Sequence, residues 1–158
     1  ELSMARPVSG LLTDMVCCPG GDFCSLANAR SITVAEDINR RYKSLDKLES
    51  LGNIDLRISG CMNSCGHHHI GNIGILGVDK DGKAFYQLLL GGNSGEKGKA
   101  SLGKIIAKAF AEDEISDAVE NILQHYLSKR DKNETFRNTV ARLGNASFAE
   151  AANKARKS

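Results

Sequence analysis

The sequence predicts a domain of the α+β class, and three observations carry that reading. Twelve of the sixteen glycines lie between Gly52 and Gly103, and proline occurs only at Pro7 and Pro19, so the middle of the chain reads as strands joined by tight turns. Asp55–Ser59, Ile73–Val78 and Ala84–Leu90 have the length and apolar composition of strands. From Glu112 to Lys129, residues Ile115, Val119, Ile122, Leu123, Tyr126 and Leu127 recur at helical spacing along one face.

The remaining elements follow in chain order. Thr13 to Cys17 is a short apolar run stopped by Pro19-Gly20-Gly21, which reads as a strand followed by a loop. Ser25 to Leu48 is richer in Ala, Leu, Arg, Lys and Glu and predicts one or two helices, with Thr33 as N-cap and Glu36 completing a capping box. Gly52 is the expected stop. Asp79-Lys80-Asp81-Gly82 is a hairpin turn signal between two strands. One further helix is expected within Glu134 to Leu143 and another from Phe148 onward. The domain is expected to occupy residues 1–148, leaving 149–158, with Lys154, Arg156 and Lys157, as a solvated basic tail.

Bulk composition narrows the function classes. A chain of 158 residues is long enough for one domain with a real core. Its net charge of +2 gives no footprint for nucleic acid or a membrane surface. No run approaches the ~20 apolar residues of a membrane helix. Glu1-Leu2-Ser3-Met4-Ala5 lacks the basic and apolar regions of a signal peptide, so a cytoplasmic, reducing location is expected. Five cysteines, an odd number, point away from a closed disulfide framework and toward metal or redox chemistry.

Four of those cysteines form two pairs. Cys18-Pro-Gly-Gly-Asp-Phe-Cys24 is C-x5-C, and Cys61-Met-Asn-Ser-Cys65 is C-x3-C. Both pairs follow expected strands, where a sheet can hold a loop still. Four thiolates suit a 4Fe–4S cluster, and they also suit structural zinc. Zinc loops usually have C-x2-C or C-x4-C spacing, which neither pair has. Gly20, Gly21, Gly60 and Gly66 remove bulk where backbone must pass a large cofactor. A helix beginning near Cys24 would aim its positive end at a cluster. Cys17, beside Cys18 on a strand, faces the other way and reads as a bystander thiol.

His67-His68-His69 invites a metal-site reading, but the three are not expected to bind one ion together, because neighbours on an extended segment alternate sides. A donor role toward an anionic cofactor, or plain surface exposure, accounts for them better. Gly91-Gly92-Asn93-Ser94-Gly95 follows a strand and could offer amides to an anion, with Lys97 and Lys99 adding charge; the other reading is a solvated turn.

Together these motifs resemble a known family. Cys-Pro-Gly-Gly-Asp-Phe-Cys-Ser-Leu-Ala (18–27), Ser-Gly-Cys-Met-Asn-Ser-Cys-Gly-His (59–67), Ile-Gly-Asn-Ile-Gly-Ile-Leu-Gly (70–77) and Leu-Gly-Gly-Asn (90–93) resemble the sirohaem-dependent sulfite and nitrite reductases. The resemblance runs from about residue 12 to about residue 148. It implies an α+β fold with a mixed sheet flanked by helices. It implies a 4Fe–4S cluster on Cys18, Cys24, Cys61 and Cys65, with Cys65 also bridging to the iron of sirohaem. By motif position, Asn63, His67, His69, Gly92 and Asn93 are the candidate sirohaem contacts. The substrate-binding arginines and lysines of that family lie largely on an earlier homologous half, so no catalytic residue is expected here and the chain is expected to be inactive alone. The implied partners are that N-terminal half, a ferredoxin or flavoprotein electron donor, and sulfite or nitrite. The competing reading is a non-catalytic iron–sulfur or zinc module that scaffolds a partner.

Overall fold

A computed structural model describes residues 8–95 and 99–157; Lys97 and residues 1–7 lie outside them. Among these described residues, six strands form one sheet and five helices accompany it. β1 (Val16–Cys17), β2 (Leu56–Ser59), β3 (Ile73–Lys80), β4 (Lys83–Leu90) and β5 (Lys104–Ile105) are neighbours in that order, and β6 (Phe110–Ala111) also pairs with β4. β1, β2 and β3 run parallel, in the register Cys17↔Ile58 and Ser59↔Leu76. β4 runs antiparallel to β3, β5 and β6, so the sheet is mixed. The helices are α1 (Ile32–Arg41), α2 (Leu45–Leu51), α3 (Glu112–Lys129), α4 (Phe136–Leu143) and α5 (Asn145–Asn153).

The local causes are legible. Asp81 and Gly82 sit at φ +56° and +76°, the two left-handed residues that a two-residue hairpin turn requires. In α3, Ile115, Val119, Ile122, Leu123 and Tyr126 are buried while Leu127 is only half-buried. Glu114 accepts the Ala111 amide at 3.0 Å and so satisfies one free donor at the helix start. The Tyr126 hydroxyl lies 3.1 Å from the Leu51 carbonyl and 3.0 Å from that of Glu134, tying the end of α2 to the approach to α4. One apolar core runs from Leu12 through the sheet to Ala155. Among the described residues, no helix is long and apolar enough to cross a membrane.

Four expectations change. The first strand is only Val16–Cys17, because Leu11 and Asp14 close a turn ahead of it. The first helix begins at Ile32, not near Cys24; the amides of Asn28 and Ala29 donate instead to the Gly60 carbonyl, which holds that segment as a loop. Ser31 is its N-cap, so Thr33 lies inside the helix and the expected capping box does not form. The boundary at residue 148 falls inside α5. Ala151, Ala152 and Ala155 are buried, and their small side chains let α5 pack on α3. Arg156 lies over the Phe110 ring at 4.2 Å and Lys157 pairs with Asp113 at 2.7 Å; these basic residues are solvent-exposed, as expected, but are held against the domain by those contacts.

Candidate metal centre

The parallel pairing of β1 with β2 decides where the cysteines go. Both cysteine loops leave the same end of adjacent strands, and they are stitched together from the first residue. The Cys18 amide donates to the Ile58 carbonyl at 3.1 Å, continuing the ladder. The Gly60 amide donates to the Cys18 sulfur at 3.1 Å. A side chain at Gly60 would lie 2.7 Å from the Ala29 carbonyl oxygen and 2.8 Å from the Gly20 Cα, so the close approach of the two loops depends on glycine there.

The second loop then folds back over the sheet. A Cβ on Gly66 would meet the Ile58 oxygen at 2.0 Å. The 3-10 turn His68–Ile70 continues the path, and the Gly103 amide donates to the His69 carbonyl at 2.7 Å. Two non-glycine residues in this stretch, Ser64 (φ +63°) and His67 (φ +51°), adopt the left-handed conformation. Such residues cluster where a turn is held by its surroundings.

The cysteines differ in environment. Cys61 is buried, Cys18 and Cys24 are half-buried, and Cys65 is exposed. The Ser31 hydroxyl, at the N-cap of α1, lies 3.6 Å from the Cys18 sulfur. The N-terminus of that ten-residue helix therefore lies beside Cys18, whereas the expected helix began near Cys24. Among the described residues, no three His, Cys, Asp or Glu side chains are gathered closely enough to share one metal ion. A tetrahedral zinc needs all four sulfurs about 2.3 Å from one centre. A cubane takes one cysteine on each of its irons, so its ligands stand farther apart. The amide and the hydroxyl beside the Cys18 sulfur would serve a thiolate ligand of either group.

Cys17 donates its thiol to the Cys18 carbonyl at 3.2 Å and packs against the core. Burial, aided by Cys18 and Asp22, pushes its thiol up to about 11. Asn63 and His67 are exposed beside Cys65. His69 is half-buried, and Gly92 lies against it: a Cβ there would be 2.8 Å from the His69 oxygen and 2.3 Å from that of Gly71. Asn93 is buried, and its side chain donates to the Lys99 carbonyl at 2.8 Å. Its amide and carbonyl form a bridge with Ser101, so Asn93 is engaged in closing its own loop. Sequence reasoning missed Ser31 and Ser64, whose roles depend on long-range neighbours, and the exposure of Phe23, Leu26 and Met62 around the cysteines.

The family model described as the nitrite and sulphite reductase 4Fe-4S domain matches residues 11–158. The chain belongs to that family. The ferredoxin–nitrite reductase of Leptolyngbya laminosa is 32% identical over 126 residues, covering 77% of this chain and 24% of the relative. A cobalt-factor III methyltransferase of Priestia megaterium is 30% identical over 142 residues, covering 90% and 24% respectively. The solved structure of the Mycobacterium tuberculosis NirA protein superposes with a TM-score of 0.68 at 26% identity, covering 85% of this chain and 26% of that one. The chain thus spans about a quarter of the length of these relatives and about half of a further one, the assimilatory-type sulfite reductase of Nitratidesulfovibrio vulgaris, to which it is 25% identical.

Proposed function

We propose that this chain is the cluster- and sirohaem-binding part of an assimilatory sulfite or nitrite reductase. The observation that carries the reading is the joining of the C-x5-C and C-x3-C loops at one end of two parallel strands, with the Gly60 amide on the Cys18 sulfur. Family membership supports the cluster directly. One match is to a protein named as a methyltransferase, so the reduction is part of the proposal.

Cys18, Cys24, Cys61 and Cys65 would hold the 4Fe–4S group, which when bound supplies single electrons to a neighbouring haem. Amide donation to Cys18 disperses thiolate charge. Cys61, buried, limits water on its side of the site. Cys65, the exposed one, is the ligand able to reach a second cofactor. Asn63 and His67 stand free beside it, with donors for the sirohaem carboxylates; His69 and Gly92 extend that edge. The N-terminal half of the same reductase would supply the anion-binding residues and cover the apolar Phe23, Leu26 and Met62, with electrons arriving from a ferredoxin or flavoprotein. The isolated chain is then inactive and binds sirohaem weakly.

Anaerobic reconstitution followed by sirohaem titration tests this. The expected result is cluster uptake, weak haem binding alone, and tight binding with sulfite or nitrite reduction once the remaining half is added. Zinc uptake by a colourless chain, with no haem binding in either case, would support a scaffolding module instead.

A further inference from the structure

We propose that the Ser64 hydroxyl is a positioning device for Cys65, locking the turn that presents this cysteine by bonding two imidazoles at once. The inference rests on the reading of Cys61 and Cys65 as cluster ligands. Ser64 sits at φ +63°, a conformation a serine adopts at a cost that glycine would avoid. The cost is offset by something glycine lacks. The Ser64 Oγ lies 2.8 Å from His69 Nδ1 and 3.0 Å from His68 Nδ1. A serine has one proton to donate, so at least one of the two rings must donate from Nδ1. The two bonds therefore orient both rings, which meet edge to face at 5.2 Å.

Both histidines are anchored to the sheet. His68 is buried, with its carbonyl so close to Gly74 that a Cβ there would meet the oxygen at 2.1 Å. The His69 carbonyl accepts the Gly103 amide. The Ser64 backbone closes the loop from both sides: its amide donates to the Cys61 carbonyl at 3.2 Å and its carbonyl accepts the His67 amide at 2.7 Å. A continuous set of contacts thus leads from β3 and the Gly103 segment through two imidazoles to the residue just before Cys65. The hydroxyl is the one side-chain link in that path between the turn and the histidines. Without it, the peptides from Met62 to Gly66 are held by the local turn bonds and by the Gly66 amide, which donates to the Ser59 hydroxyl at 3.1 Å on the far side of Cys65, so the Ser64 side of the turn loosens.

Ser64→Gly keeps the left-handed backbone accessible while removing the CH2OH group, and Ser64→Ala removes the hydroxyl alone, so a loss shared by both separates this role from simple turn formation. The 158-residue chain is compared with the variant in two ways. Amide exchange in the metal-free chain should rise across Met62–Gly66 by about tenfold, the factor expected from losing two hydrogen bonds of ordinary net strength. After reconstitution with iron and sulfide, the cluster should be released about tenfold faster and its reduction potential should shift, while the thermal midpoint of the metal-free chain falls only slightly, because relief of the Ser64 φ offsets part of the two lost bonds. Ser64→Ala should reproduce the faster release. Unchanged exchange and release in Ser64→Gly would overturn the proposal, as would faster exchange without faster release. Failure of the unaltered chain to take up iron and sulfide would contradict the metal-centre reading itself, and the exchange comparison alone would then decide the part played by Ser64.

Discussion

Cys17 and Cys65 carry the same functional group in opposite settings. Cys65 is exposed at the tip of a strained turn, whereas Cys17 is half-buried with its thiol raised to about 11. Metals bind the thiolate, so Cys17 stays protonated and unavailable at neutral pH. Cys65→Ser is expected to lower bound iron severalfold, and Cys17→Ser to leave it unchanged; equal losses would contradict the assignment. His68 carries a second expectation at this scale. Burial, then the neighbouring His69, lowers it to about 4, against about 6.5 in an unfolded chain. Between those values the folded state binds fewer protons, so stability is full above about pH 6.5 and is lost as pH falls toward about 4. The urea midpoint should therefore drop between pH 7 and pH 5, and His68→Gln should flatten that slope. His125 is lowered by burial as well, so some slope should survive. The four paired cysteines were legible from spacing alone. Ser31 and Ser64 were not, because their partners lie across the fold.

The hairpin and α3 show which elements a sequence reveals. Asp81-Gly82 and the Ile115–Tyr126 stripe each encode a local geometry, and both form where expected. Gly82 has open space around it, so Gly82→Ala should cost only the backbone penalty of its φ, about 1 kcal/mol in urea unfolding. β5 and β6 are two residues each and are defined by pairing with β4, so no local pattern announces them. α5 misleads in another way: its alanines and terminal basic residues resemble a solvated tail, yet they fill the space against α3. Deleting residues 149–158 removes three buried alanines and the Arg156–Phe110 stack. The loss should be about 2–4 kcal/mol, read as a lower urea midpoint; an unchanged midpoint would restore the tail.

At the scale of the whole molecule, the fold brings two loops 37 or more residues apart in sequence to one end of a parallel pair, and leaves Phe23, Leu26 and Met62 exposed around them. The chain spans between about a quarter and about half of the length of the relatives it matches. The choice between sulfite and nitrite was not legible, because the anion-binding residues that would make it are expected outside this chain. The metal centre is proposed from the spacing of the four cysteines and from family membership, and it is the claim on which the others stand. Its most direct test is the iron and acid-labile sulfide content of the anaerobically reconstituted chain. The account predicts about four iron and four sulfide per chain, with both falling in Cys18→Ser, Cys24→Ser, Cys61→Ser and Cys65→Ser. A single tightly held zinc without sulfide, or iron content indifferent to those four substitutions, would contradict it.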